Sequence, residues 1–457
     1  MQTTRELKIR EEDQDRGEFK RHLGLLGATS LGLSAMLGGG IYIISGKAAA
    51  MVGPVITFAY LLVGLMTLFT AINYAELSCS IPKQGGGYTF AHDTYGGFPA
   101  FLTGWFLFFG NLVACSLFAV SVAHTICVFI PGGSQQTVAI VAVIIIIITF
   151  ITNIFSVEGV SGLLGLLNII QSVVLFSFIG IGLFFLEPSN LEPLVAPGTG
   201  LYEFMSVISF IYISFVGFEL ITTATQEVKE PSHNVPRAIM LTLLISTAIY
   251  MLTSVVMVGV VPYTDLADPA MPLSYVFGEM LGPGAFYFGL AGMAASGYAA
   301  LSATFMATAR VVYSLGRDNY FPSILKRVSQ RFNTPIAALT LTMIAVSAFA
   351  VSGTVEFLVG VADFGYLVGI AIVNSSVIVL HRKGLSVPDT FQAGFFPAIP
   401  VLGVITCLML VPTLHMEALI LGGVFTVMGI LVYLLYSKRK KKSHHRKIII
   451  TTVLCQT

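Results

Sequence analysis

Residues 23–46 read LGLLGATSLGLSAMLGGGIYIISG, 24 residues without a charge. At about 1.5 Å per residue this run is long enough to cross a hydrocarbon layer of roughly 30 Å as a helix. Its middle holds Gly38, Gly39 and Gly40 in succession. Glycine is a poor helix former and adopts backbone conformations closed to other residues. Two arrangements fit such a cluster. One is close helix packing through small residues. The other is a helix opened at mid-membrane, whose freed N–H groups suit a carboxylate and whose freed carbonyls suit a cation.

The rest of the composition fixes the setting. Of 457 residues, 55% are hydrophobic and only 10% charged, with a mean hydropathy of +0.86. A soluble domain carries about 25% charged residues, so a soluble fold is excluded. The fold class is all-α and integral to the membrane. Net charge is +1 and says nothing about partners. Cys79, Cys115, Cys127, Cys407 and Cys455 lack metal-ligand spacing and read as small apolar residues. Residues 1–22 carry both signs of charge, and no cleavable signal is expected there.

Apolar windows of about 20 residues predict about 12 transmembrane helices. They lie near 23–46, 53–78, 100–129, 136–156, 162–186, 202–226, 238–262, 284–314, 334–353, 355–380, 395–414 and 416–437. With that count, every Lys and Arg except Lys47 falls on the side of the N-terminal tail, while Glu187, Glu192, Asp265, Asp268 and Glu417 fall opposite. The positive-inside rule then places both termini in the cytoplasm of a multi-pass cell-membrane protein. The tail 438–457, with KRKKKSHHRK at its start, reads as a basic topology anchor that could also meet anionic lipid.

The sixth span, 202–226, has Gly217 at mid-membrane with Glu219 just after it. An interrupted span opening each of two sets of five favours the opened-helix arrangement. It predicts a five-plus-five inverted repeat: 23–186 as the first repeat, 202–381 as the second, and helices within 395–437 outside both.

Four segments carry a family resemblance running from Gly24 to Lys383. They are AMLGGGIYIISG (35–46), NYAELSCSIPKQGGGYTF (73–90), FVGFELITTATQEVKEPSHNVPRAI (215–239) and ATARVVYSLGRDNYFPSIL (307–325), the last followed by Thr334-Pro335. In this order and spacing they resemble the amino acid–polyamine–organocation (APC) transporter superfamily, on its amino acid permease branch. The resemblance implies a leucine-transporter-type fold with helices 1 and 6 broken. It also implies a secondary transporter working by alternating access on an amino acid, with no cofactor.

The site follows residue by residue from the same resemblance. The substrate carboxylate would bind the N–H groups of Gly39 and Gly40, with Gly38 adjacent. The ammonium would meet carbonyls near Met36 at the first break and at Ile213 and Val216 at the second. Phe218 matches an aromatic lid and also reads as ordinary packing. Gly39 stands where the family often has Ser or Thr, which removes a hydroxyl but keeps the N–H.

Coupling departs further from the pattern. Gln171 occupies the position of a lysine in some proton-coupled relatives, and Gln does not titrate. Tyr298 and Ala299 match the position of sodium-binding hydroxyls, with Ser302 and Thr304 one turn on. Exchange or weakly coupled transport is therefore the leading expectation, with a proton- or sodium-coupled symporter and a polyamine or cationic carrier as alternatives. Glu219, Glu227, Lys229, Arg310 and Asp363 are candidate gate or charge-network residues, and Arg310, ending a long uncharged stretch, is expected to find a partner. Tyr88 and Phe90 are placed to plug the inner side.

Other classes fit less well. No segment resembles a channel filter, and the eight His residues show no HExxH or other metal spacing, so no metal or enzymatic centre is expected. The expected partners are a small-molecule substrate and the lipid bilayer, without nucleic acid.

Overall fold

A computed structural model describes residues 21–454, apart from 22, 84, 133, 156, 268–270, 330, 333 and 388–389, and gives only backbone for Gly39, 157–161 and 437–454. The expected N-terminal tail, but for Arg21, lies outside the described residues, as do Asp268 and the side chains of the basic tail.

Among the described residues the architecture is all-helical, with no strand. In chain order the helices are α1 (Leu25–Met36), α2 (Gly39–Val52), α3 (Ile56–Ser80), α4 (Gly86–Thr94), α5 (Gly97–Cys127), α6 (Gln135–Phe155), α7 (Val157–Gly182) and α8 (Leu201–Tyr212). They continue with α9 (Leu220–Thr223), α10 (Pro231–Val260), α11 (Pro272–Leu281), α12 (Pro283–Arg317), α13 (Ile336–Ser352), α14 (Val355–Arg382), α15 (Ala398–Leu410) and α16 (Met416–Leu454).

Nine described segments are long and apolar enough to cross a membrane, one of them running from Gly40 through Ser80. Three apolar helical segments are shorter: Leu25–Met36, Ile336–Ser352 and Ala398–Thr413. Span counting from composition missed this difference because it measures apolar length and not where helical hydrogen bonding stops.

Helix α5 is the axis of the bundle. Its apolar window is buried along its whole length, and it packs against α14 and α12. Close approach there depends on missing side chains: a Cβ on Gly365 would stand 2.7 Å from the Gly110 nitrogen. Lipid tails are as apolar as leucine, so helices gain from such tight backbone contacts rather than from hiding apolar surface. The periphery reads the opposite way. On α6 the residues Val138, Ala142, Ile145, Ile146, Thr149 and Asn153 face inward. Ile140, Ile144, Ile147, Ile148 and Ile151 are exposed at the same helical spacing, as expected of a lipid-facing stripe.

Candidate functional site

The site is built where two helices stop. Helix α1 ends at Met36, and α2 begins at Gly39 behind an extended Gly38 with ψ −171°. The first N–H groups of α2, those of Gly39, Gly40 and Ile41, have no intrahelical acceptor, as at any helix start. Helix α8 ends at Tyr212, a single 3-10 turn covers Ile213–Phe215, and Val216 is extended. Gly217 then takes φ +138°, a conformation side chains rarely permit.

Three contacts join the two stops. A Cβ on Gly217 would stand 2.8 Å from both the Ala35 carbonyl carbon and the Met36 nitrogen. One on Gly40 would stand 2.8 Å from the Ser214 hydroxyl. The Tyr250 hydroxyl of α10 lies between them, donating at 2.6 Å to the Ser214 carbonyl and also facing the Met36 carbonyl. The next carbonyl, Leu37, accepts from Ser296 of α12 at 3.0 Å. The Met36 carbonyl named for the substrate ammonium therefore shares the single Tyr250 proton with the Ser214 carbonyl and keeps acceptor capacity. The Ile213 carbonyl accepts the Val216 N–H at 3.2 Å.

Phe218 is buried and meets the Tyr74 ring edge-on at 5.7 Å, with Phe90 beyond it. Glu219 caps its own turn, its carboxylate accepting the Gly217 N–H at 2.7 Å. Glu227 and Lys229 join the structure through backbone, accepting from Leu23 N–H at 3.0 Å and donating to the Leu23 carbonyl at 2.8 Å. This bridge pins the start of α1 beside the segment that follows the second stop.

Arg310 forms no ion pair within 4 Å among the described residues, although Glu227 is the acid whose field it feels. Its expected partner is thus not engaged. On the same side the adjacent Arg317 and Asp318 pair at 3.4 Å. Asp318 has a stronger tie, accepting from the Tyr88 hydroxyl at 2.6 Å. Burial, and then that hydrogen bond, push the Tyr88 phenol above its ordinary range. On the same short helix, burial works to raise Asp93. Hydrogen bonds from His92 and Lys83 outweigh it and hold the carboxyl below the usual carboxylate range.

Gln171 is buried, and its side chain donates to Asn168 at 3.0 Å while its backbone carbonyl accepts from Tyr42 at 2.9 Å. It lines a cavity of about 790 Å³ together with Ser30, Ser34, Asn168 and Ser177. Tyr298 turns toward α6, its hydroxyl 3.3 Å from that of Thr152. Ser296 and Ala300, one helical turn apart, face the first stop instead. Asp363 is buried on α14, and neither oxygen has a hydrogen-bond partner among the described residues. Tyr250, Ser214, Ser296, Tyr74 and Asn168 were not singled out from the sequence. Tyr250, Ser296 and Asn168 sit in apolar helical runs where nothing but three-dimensional proximity distinguishes them.

Apolar helices of membrane length, nine among the described residues, make this a multi-pass membrane protein. The chain belongs to the amino acid permease family, whose sequence pattern matches residues 23–435. This bears out the APC resemblance carried by the four motifs and makes the chain a transporter, not an enzyme. It is similar to the branched-chain amino acid permease BcaP of Bacillus subtilis (strain 168), at 28% identity over 444 residues, covering 92% of this chain and 94% of the relative. It is also similar to the methylthioribose transporter of the same organism, at 26% over 440 residues, covering 92% and 94%. A branched-chain amino acid permease BcaP of Lactococcus lactis subsp. cremoris (strain MG1363) is 26% identical over 440 residues, covering 90% and 93%.

Proposed function

We propose that the chain carries amino acids across the cell membrane by alternating access, exchanging one for another with little or no ion coupling. The observation that carries this reading is the meeting of two helix stops at Met36–Gly40 and Ile213–Gly217, within a chain of the amino acid permease family. The N–H groups of Gly39 and Gly40 take the α-carboxylate. The carbonyls of Met36, Ile213 and Val216 take the α-ammonium, and Phe218 closes over the bound substrate.

In this reading the spans form a five-plus-five inverted repeat over 23–186 and 202–381, with two helices within 395–437 outside it, and spans one and six are the broken pair. Twelve spans leave both termini, including the basic C-terminal tail, in the cytoplasm. Gln171 supports exchange, because an amide at that position neither takes up nor releases a proton. The family relatives described as branched-chain permeases make leucine, isoleucine and valine the first substrates to try.

A panel of ligands read by thermal stabilisation in detergent tests the site, since a ligand that binds only folded protein raises its stability by mass action. Amino acids should stabilise, while their amides and decarboxylated amines, which lack the carboxylate, should do so far less. The opposite order would move the assignment to a polyamine or cationic carrier. No saturable uptake of any amino acid into proteoliposomes would overturn the reading altogether.

A further inference from the structure

Asp363 stands apart from every other acid in the bundle. It is fully buried, and among the described residues neither oxygen has a hydrogen-bond partner and no Lys, Arg or His pairs with it. Its depth follows from one contact at a helix end. Lys47 of α2 pairs with Glu356 of α14. From Lys47, eight residues back along α2 lead to Gly39, about 12 Å away at ~1.5 Å per residue. From Glu356, seven residues along α14 lead to Asp363, about 10.5 Å away and on nearly the same helix face. Asp363 therefore lies level with the first helix stop, on a helix that also packs against α8 and the Ile213–Phe215 turn.

The groups around it offer no counter-charge. From α8 comes Tyr212, whose hydroxyl lies 3.9 Å from the Cys407 sulfur of α15, and from α14 itself comes Tyr366, whose hydroxyl donates to Asn111 of α5 at 2.7 Å. Tyr74 of α3 acts electrostatically on Tyr212, and Glu219 on Tyr366. Helix α16 meets this part of α14 through Ala418 and Gly422. A bare carboxylate among phenols and apolar side chains is strongly disfavoured, whereas the neutral acid is tolerated. The side chain is closed to solvent, so a proton is the one cation that fits without rearrangement.

We propose that Asp363 must hold a proton for the carrier to close in this arrangement, and that the proton crosses with the loaded carrier in each direction. This rests on the exchange reading above. The proton enters from water on one side, bonds to a carboxylate oxygen of Asp363, and returns to water when the carrier reopens. Since both half-cycles carry it, exchange moves no net proton. pH then sets the rate of exchange without a gradient driving accumulation.

The test uses the full-length protein reconstituted with unlabelled L-leucine inside and labelled L-leucine outside, at equal pH on both sides. Wild-type exchange should fall roughly tenfold per pH unit once Asp363 begins to lose its proton, as the protonated fraction does. Asp363→Asn, which stays neutral, should exchange at a rate nearly independent of pH, and Asp363→Glu should restore the dependence. The infrared carbonyl band of a protonated carboxylic acid should be present in the detergent-solubilised wild type and lost in Asp363→Asn. That band reads protonation without transport, so it separates failure of this proposal from failure of the transport reading. Absence of the band overturns the proposal. So does a folded Asp363→Asn that has lost exchange at every pH, which would make Asp363 a ligand of the cargo. An unchanged pH profile in that variant overturns it as well.

Discussion

Gly217 approaches Met36 so closely that a Cβ added to the glycine would stand 2.8 Å from the Met36 nitrogen. The two helix stops are thus a single piece of packed backbone, and motion at one is felt at the other. Backbone contact this tight leaves no flexible side-chain end to give way.

Gly217→Ala combines that clash with a φ of +138° that alanine rarely adopts. Positions of this kind cost about 1–3 kcal/mol each when filled. The expected outcome is a lower melting temperature in detergent together with loss of amino acid exchange. A variant that melts and exchanges as the wild type does would show that the two stops separate freely.

Tyr250→Phe tests the other link. Removing the hydroxyl leaves the Ser214 and Met36 carbonyls without their shared donor, at a cost of about 1–3 kcal/mol for a buried group left unmet. Unliganded protein should melt lower. A bound amino acid should recover part of the loss, because its ammonium can occupy the Met36 carbonyl. Equal losses with and without ligand would mean that Tyr250 only supports packing.

Much of this could be read from sequence because apolar length and glycine position are local signals. The cluster at Gly38–Gly40 and the lone Gly217 marked where helical hydrogen bonding stops to within a few residues. What joins those places could not be read. Tyr250 is one aromatic residue in the 30-residue helix Pro231–Val260, and its role appears only when α10 lies across both stops. Tyr298 shows the complementary difficulty. Two residues on a helix amount to a rotation of about 200°, so Ser296 and not Tyr298 is the hydroxyl of this stretch that reaches Leu37. Charges were the least informative, since Glu227 and Lys229 act through backbone and Arg310 finds no ion pair among the described residues.

Gly40 carries a prediction that the neighbouring break sharpens. Gly40→Leu should abolish amino acid binding by filling the approach to the freed N–H groups. Even Gly40→Ala should weaken it, since the added methyl would stand 2.8 Å from the Ser214 hydroxyl. Combining Gly40→Ala with Ser214→Gly removes that obstruction and should recover part of the affinity. Wild-type affinity in Gly40→Leu, measured by titration calorimetry, would place the carboxylate elsewhere.

Coupling gives the last prediction. A carrier driven by membrane potential gains about 2.3 kcal/mol per charge for each 100 mV, enough to concentrate its substrate many-fold. Gln171 cannot supply that charge movement through protonation, and its side-chain amide is held by Asn168 at 3.0 Å. The Tyr298 hydroxyl, at the position matched to sodium binding, lies 3.3 Å from that of Thr152. Labelled amino acid should therefore enter proteoliposomes loaded with unlabelled amino acid when no sodium or proton gradient is present. An imposed gradient should change the final level little, although pH should change the speed. Uphill accumulation that needs an acid exterior and collapses with a protonophore would sink this reading. Retention of that accumulation in Asp363→Asn would then point to Glu219 as the proton carrier, and its loss to Asp363.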